Sequence, residues 1–233
     1  MSSSPTAPTS TTASSTGSPS RADRVAVVAC GAIARHVADV AARRGWPVDV
    51  HPLPPLLHNR PERIAAAVER RVRELGSRYA RVAVGYADCG TRGALDEVCH
   101  RLGVPRLPGS DCYEVFAGAA RLRAVLEAEP GTYLLTDYLV TSFHRSVVVE
   151  LGLDRFPQLR EDYFGHYRRA VWLAQHPTAA LRAAAGRAAG VLGLPLEEVV
   201  VGDALLERAL EELVDGHRAR TGALGEPSTK RFS

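Results

Sequence analysis

Several features that define familiar classes of protein are missing from this 233-residue sequence. No apolar run approaches the roughly 18 residues that a membrane-spanning helix needs, and the longest candidate, Val25–Cys30, has the length of a strand. The 29 Lys and Arg residues nearly balance the 26 Asp and Glu residues. A nearly balanced charge does not favour binding to nucleic acid or to an anionic membrane surface. We therefore expect a globular protein that binds neither nucleic acid nor membranes.

Common nucleotide-binding and hydrolase motifs are also missing. The sequence contains no GxGxxG and no GxSxG, and its one lysine, Lys230, lies near the C-terminus, where it cannot serve a P-loop. Four cysteines in a chain of this length are too few for a disulfide scaffold. Because the first residues also lack the charge and apolar stretch of a secretory signal, we expect a cytoplasmic protein with reduced thiols.

The two ends of the chain differ in composition from the middle. The first 20 residues contain 13 Ser or Thr and three Pro, which predicts a disordered tail over residues 1–23. Residues 216–233 are polar and predict a second, flexible tail. A single α/β domain is expected over residues 24–215.

Within residues 24–215, short β-branched runs alternate with longer helical patterns. Strands are predicted at about 25–29, 48–50, 81–86, 104–107, 133–136 and 198–201. Helical segments are predicted over most of residues 138–192, including 159–174. This alternation indicates an α/β fold: a Rossmann-like, mostly parallel sheet with helices on both faces and an inserted helical segment.

Four potential metal ligands follow the predicted strands. Cys30, His58, Cys89 and Cys112 come after the first, second, third and fourth strands. Right-handed crossovers place the carboxyl ends of parallel strands at one edge of the sheet, where open α/β sheets bind their ligands. We therefore expect these four side chains to share one site, whereas Cys99 continues an apolar helical stripe and is expected in the core.

Three thiolates and one imidazole suit tetrahedral zinc or an iron–sulfur cluster. The three cysteines lie near predicted helix starts, which favours the thiolate form. Three carboxylates follow strands at the same edge: Asp88, Asp111 and Asp137. We expect them to accept a hydrogen bond from His58 and so to orient its ring for metal binding.

Two other interpretations use the same residues without a metal. The chain could be a binding module for a corrinoid or other small ligand, or for a partner protein, with the cysteines lining its pocket. It could also be a thiol-redox protein in which two of the cysteines form a reversible disulfide. The residues alone leave these three interpretations, and the question of catalysis, open.

Six short segments together resemble an uncharacterised bacterial and archaeal family known only as a domain of unknown function. They are ACGA at 29–32, LHNRPE at 57–62, GYADCGT at 85–91, CYE at 112–114, TDY at 136–138 and YFGHY at 163–167. The resemblance covers about residues 25–210. It implies a role in one-carbon metabolism, as an enzyme or an accessory, because genes of this family often neighbour corrinoid-dependent methyltransferases. A methyltransferase or corrinoid protein would then be the partner.

Overall fold

A computed structural model describes residues 23–215 of the chain, so the predicted tails at 1–23 and 216–233 lie, apart from residue 23, outside the described residues. The strands are β1 (Val25–Cys30), β2 (Val48–Leu53), β3 (Arg81–Gly85), β4 (Thr132–Thr136), β5 (Arg169–Ala174) and β6 (Leu196–Val200). The helices are α1 (Ala34–Arg44), α2 (Ile64–Gly76), α3 (Ala94–Leu102), α4 (Cys112–Ala117), α5 (Ala119–Ala128), α6 (Asp137–Phe143), α7 (Leu159–Phe164), α8 (Ala179–Leu192) and α9 (Ala204–Asp215).

The strands form two parallel sheets of three, with helices around them. The first sheet has the order β2-β1-β3 and the second the order β4-β5-β6. All six residues of β1 are buried, as expected for a central parallel strand covered on both faces. The Rossmann-like α/β class predicted from the alternation is confirmed, with the strands distributed over two sheets.

The strand predicted at 104–107 is reduced to a single parallel bridge. Arg106 pairs with Val84, and the amide of Leu107 donates to the Val84 carbonyl. This short segment lies beside β3 and extends the first sheet by one contact. The chain then enters α4 and α5, and the second sheet begins at β4.

The prediction of a helix over 159–174 is wrong in its second half. Helix α7 stops at Phe164, and residues 169–174 form β5, the central strand of the second sheet. The six-residue run RAVWLA is too short for its periodicity to separate a buried helix from a buried strand. Pairing with β4 on one side and β6 on the other decides in favour of the strand.

Apolar packing joins the two sheets through α4 and α9. Leu206 and Leu210 of α9 belong to the core of the first sheet, and α4 contributes Val115 and Phe116 to the same core. Ala117, at the end of α4, packs instead with Val171 and Leu173 of β5. Within residues 23–215, no helix has both the length and the apolar character needed to cross a bilayer.

Candidate functional site

The four predicted ligands lie at the carboxyl end of the first sheet or just beyond it. Cys30 is the last residue of β1, and His58 lies in a 3-10 turn, Pro55–Asn59, that follows β2. Cys89 follows β3 by four residues, and Cys112 is the first residue of α4. The topology therefore does bring the ends of these segments to one region of the fold.

Backbone hydrogen bonds fix the loop that carries Cys89 against the loop that precedes Cys112. The Cys89 amide donates to the Ser110 carbonyl at 2.7 Å, and the Asp88 amide donates to the Gly109 carbonyl at 3.1 Å. Cys89 has a φ of 50°, a left-handed conformation that is uncommon for a residue other than glycine. Such conformations cost free energy, persist only where the surroundings enforce them, and cluster at functional sites.

Gly31 allows the end of β1 to approach the loop that carries His58. A Cβ atom at this position would lie 2.4 Å from the Leu53 carbonyl oxygen and 2.8 Å from Cδ of Pro55. Both distances are shorter than van der Waals contact, so a larger residue here would push the two segments apart. The close approach is what places His58 beside Cys30.

His58 contacts Cys30 and is oriented by a backbone carbonyl. Its Nδ1 lies 3.0 Å from the Pro55 carbonyl oxygen, which can only accept, so Nδ1 carries the hydrogen and Nε2 has a free lone pair. The Cys30 Sγ lies 3.7 Å from Nε2 and 3.8 Å from Nδ1. A backbone carbonyl on the second ring nitrogen is a partner that metal-ligating histidines commonly have.

Cys89 and Cys112 belong to the same electrostatic neighbourhood as Cys30. Burial raises the pKa of Cys30 to about 11. Burial, and then the proximity of Cys30, raise the pKa of Cys89 to about 12. Burial also raises the pKa of Cys112 well above its usual range, with Cys30 and Cys89 adding to the effect. Without a cation these are thiols at neutral pH, because burial outweighs the helix starts that were expected to favour thiolates.

No three of the four predicted ligand atoms lie within 4.8 Å of one another. Among the described residues, the only trio of His, Cys, Asp or Glu whose ligand atoms all lie within 4.8 Å of one another is a different cluster, His36, His176 and Asp203. All four cysteines are free thiols. Coordination by the predicted set would therefore require side-chain rotation that draws the sulfur atoms inward.

The three carboxylates expected behind His58 have other partners in the structure. The Asp88 side chain accepts from the Thr91 hydroxyl and from the Gly93 amide, within its own loop. Asp111 accepts from the Glu114 amide and caps α4. Asp137 accepts from donors in and after β5. The Pro55 carbonyl, which no side-chain pattern reveals, occupies the position on His58 that the sequence assigned to a carboxylate.

A cavity of about 370 Å³ opens beside these ligands, between the ends of the two sheets. His58, Cys89 and Cys112 form part of its wall, whereas Cys30 is buried and does not line the cavity. The remaining lining is mostly apolar or aromatic, with a few polar groups: Ala32, Pro55, Leu56, Asn59, Asp111, Tyr113, Tyr133, Thr136, Tyr138, Leu139, Ser146, Val147 and Leu151. No Lys or Arg is among these lining residues, all of which lie in the described part of the chain.

The far wall of the cavity comes from a π-helical segment, His144–Val149, that continues α6. Ser146 of this segment lines the cavity, and its Oγ is buried without a hydrogen-bond partner within the described residues. Short π-helical stretches are rare and often occur at functional sites. The sequence predicts a helix here but does not reveal its π-helical form, because six residues are too few to separate the two periods.

The fold and the cavity define an α/β protein with a thiol-lined pocket where two parallel sheets meet. The profile of one family, described as protein of unknown function (DUF1638), matches residues 52–210. The chain belongs to that family, which confirms the resemblance at the level of the family. The gene neighbourhood it implied stays a prediction. No curated protein and no solved structure gives a significant match to the chain.

Proposed function

We propose that the protein binds a metal, zinc or an iron–sulfur cluster, through Cys30, His58, Cys89 and Cys112, and presents it to a small molecule in the adjacent cavity. The main support is the orientation of His58. With Nδ1–H donated to Pro55, Nε2 is the ring nitrogen free to ligate; the Cys30 sulfur lies 3.7 Å from it and 3.8 Å from Nδ1, so a rotation of one side chain would have to point Nε2 at the metal. Bond lengths of about 2.3 Å for sulfur and 2.0 Å for nitrogen in a tetrahedral zinc site put Nε2 and the sulfur about 3.5 Å apart.

The cavity suggests what kind of molecule would be bound. Its volume of about 370 Å³ is near the lower end for ligand pockets, which favours a small molecule over a whole corrinoid. With Asp111 as a carboxylate in the wall and no Lys or Arg, the lining suits a neutral or weakly basic substrate. A zinc ion in this position would supply a Lewis acid able to hold a substrate thiol as its thiolate.

We place this activity in one-carbon metabolism, as an enzyme or accessory of methyl transfer. The support is a site whose ligand chemistry suits activated thiols, together with the gene neighbourhood that the resemblance implies; the matching family itself has no assigned function. The partner in this proposal is a methyltransferase or corrinoid protein that delivers or receives the methyl group at the open side of the cavity.

The proposal is tested on the full chain purified without oxygen. We expect about one zinc, or the absorption of an iron–sulfur cluster, per wild-type chain. Substitution of Co²⁺ should give a thiolate charge-transfer band. Cys89→Gly removes one ligand, and the relief of its left-handed backbone offsets part of the core packing that is lost, so the variant should lose the band and remain folded. Cys99→Ala is the matched control, because Cys99 is buried on α3 away from the cavity, and the band should persist.

Retention of the full thiolate band in Cys89→Gly, or no band in the wild type, would overturn the metal proposal. The second outcome would favour a metal-free binding module, for which the unpartnered Ser146 Oγ in the cavity wall is the specific support. The redox interpretation is the weakest of the three. The raised pKa values of Cys30 and Cys89 leave little thiolate to attack a disulfide at neutral pH.

A further inference from the structure

Three side chains outside the cavity wall meet at the carboxyl ends of strands from both sheets. His36 lies in the first turn of α1, just after β1. His176 follows β5 by two residues, and Asp203 lies three residues after β6, immediately before α9. Their ligand atoms all lie within 4.8 Å of one another. The sequence does not reveal this trio: β5 was predicted as a helix, so His176 did not follow a recognised strand.

Two of these groups are buried and incompletely hydrogen-bonded. His36 is 8% exposed and Asp203 is 6% exposed. His36 Nδ1 and Asp203 Oδ1 lie 3.2 Å apart, an ion-pair distance, yet within residues 23–215 neither atom has a partner that meets hydrogen-bond geometry. An ordinary hydrogen-bonded pair would not leave both atoms unsatisfied in a buried position. A cation between them would satisfy both.

His176 completes the cluster from the solvent side. Its Nε2 is 2.5 Å from Asp203 Oδ2, its side chain is half exposed, and its ring stacks on that of His36 at a centroid distance of 5.6 Å. The exposed side chain has room to rotate away from the carboxylate and admit an ion. Two imidazoles and one carboxylate form the donor set that zinc and ferrous iron take in proteins, with coordination positions left open.

We propose that His36, His176 and Asp203 bind a divalent transition-metal ion at a second site, independent of the cysteines. The ion would join α1, the loop after β5 and the start of α9, which are separated in the chain by 140 and 27 residues. Arg43 lies next to the site, with Nη2 3.7 Å from Asp203 Oδ2 and 3.2 Å from Glu207 Oε2. On metal binding Arg43 keeps its Glu207 partner.

The test uses Co²⁺ titration of the full chain in the Cys89→Gly background, so that thiolate absorption identifies any residual cysteine site. We expect binding without a thiolate band and a rise in Tm with added metal. His176→Gln keeps a hydrogen-bond donor for Asp203 but lacks the imidazole, and should weaken binding at least about tenfold. His100→Ala is the control, because His100 is exposed on α3.

A charge variant separates a metal site from a simple ionic cluster. Removing the neighbouring cation with Arg43→Ala should tighten Co²⁺ binding by about threefold to tenfold, since a repulsive charge is lost. Co²⁺ binding that is unchanged or weaker in Arg43→Ala would overturn the proposal. So would equal Co²⁺ affinity of the Cys89→Gly protein and of the protein that carries both Cys89→Gly and His176→Gln. A thiolate band that persists in the Cys89→Gly background would count against the cysteine site and not against this one.

Discussion

The Asp137 carboxylate holds the carboxyl end of β5 against the β4–α6 junction, and its removal has a calculable cost. Asp137 is buried, and its Oδ1 accepts from the Trp172 indole at 2.9 Å and from the Gln175 amide at 3.1 Å. Its Oδ2 accepts from the His176 amide at 2.8 Å. The Asp137 amide in turn donates to the Gln175 side chain at 2.9 Å. The sequence assigned this residue to His58, whereas the structure gives it a role in stability.

The expected loss follows from the number of donors left without an acceptor. Asp137→Ala leaves two buried donors and one part-buried donor unsatisfied, at about 1–3 kcal/mol each, or about 3–9 kcal/mol in total. Asp137→Asn keeps one oxygen but sets an amide group against at least one donor, for a loss of about 2–3 kcal/mol. The alanine variant would therefore approach the whole stability of a typical domain, whereas the asparagine variant should remain folded.

Urea unfolding followed by tryptophan fluorescence and circular dichroism measures both losses. Asp162→Asn, on the exposed surface of α7, is the control and should lie within about 0.5 kcal/mol of the wild type. An Asp137→Asn variant as stable as this control would refute the hydrogen-bond argument. A folded Asp137→Asn protein that lost the cysteine-dependent Co²⁺ band but kept the Co²⁺ signal of the histidine cluster would restore the original assignment of Asp137 to His58.

Three further predictions concern positions away from Asp137. Gly31→Ala should weaken cysteine-dependent metal binding and lower stability, because the added Cβ overlaps the Leu53 carbonyl oxygen; Co²⁺ titration and thermal unfolding measure the two effects. Gly186→Ala should raise stability by about 0.5–1 kcal/mol, since the site is exposed within α8 with nothing within 4 Å, and a lower urea midpoint would contradict this. Asp49→Asn should cost about 1 kcal/mol at pH 7, because the hydrogen bond from Arg24 holds the pKa of Asp49 below its usual range. That stabilisation is present above the unfolded pKa of about 4 and is lost as pH falls through the folded value, so the two proteins should converge in urea midpoint near pH 3.

The rule that parallel strands end at a common edge was enough to predict where Cys30, His58 and Cys89 lie. All three follow strands of the first sheet, and each strand is visible as a short apolar or β-branched run. The rule does not give the partners of the side chains. Pro55 reaches His58 through a backbone carbonyl, and Gly31 permits the approach through an absent Cβ, so neither role depends on a polar side chain that a motif could contain.

The prediction failed where a short apolar run admits two structures. Residues 169–174 were assigned to a helix, and burial between β4 and β6 makes them a strand. When a strand is not recognised, the residue that follows it is not placed at the carboxyl edge of the sheet. The residues that cluster with it there are then overlooked as well. His176 was overlooked for that reason, and with it the cluster formed with His36 and Asp203.

The two proposed sites share one turn of the chain, at the junction of β4 and α6. Thr136 and Tyr138 line the cavity, while Asp137 between them binds the backbone of His176. Neighbouring residues of this junction therefore have different roles: Thr136 and Tyr138 form part of the cavity wall, and Asp137 holds the loop that carries His176. Because a packed junction of this kind does not deform freely, Asp137→Asn should disturb both sites by displacing one loop, whereas Cys89→Gly and His176→Gln should each affect a single site. The Co²⁺ signal of the cysteine site has a thiolate band and that of the histidine cluster has none. A variant that weakens both signals therefore acts on a common structural support, whereas a variant that weakens one signal removes a ligand of that site.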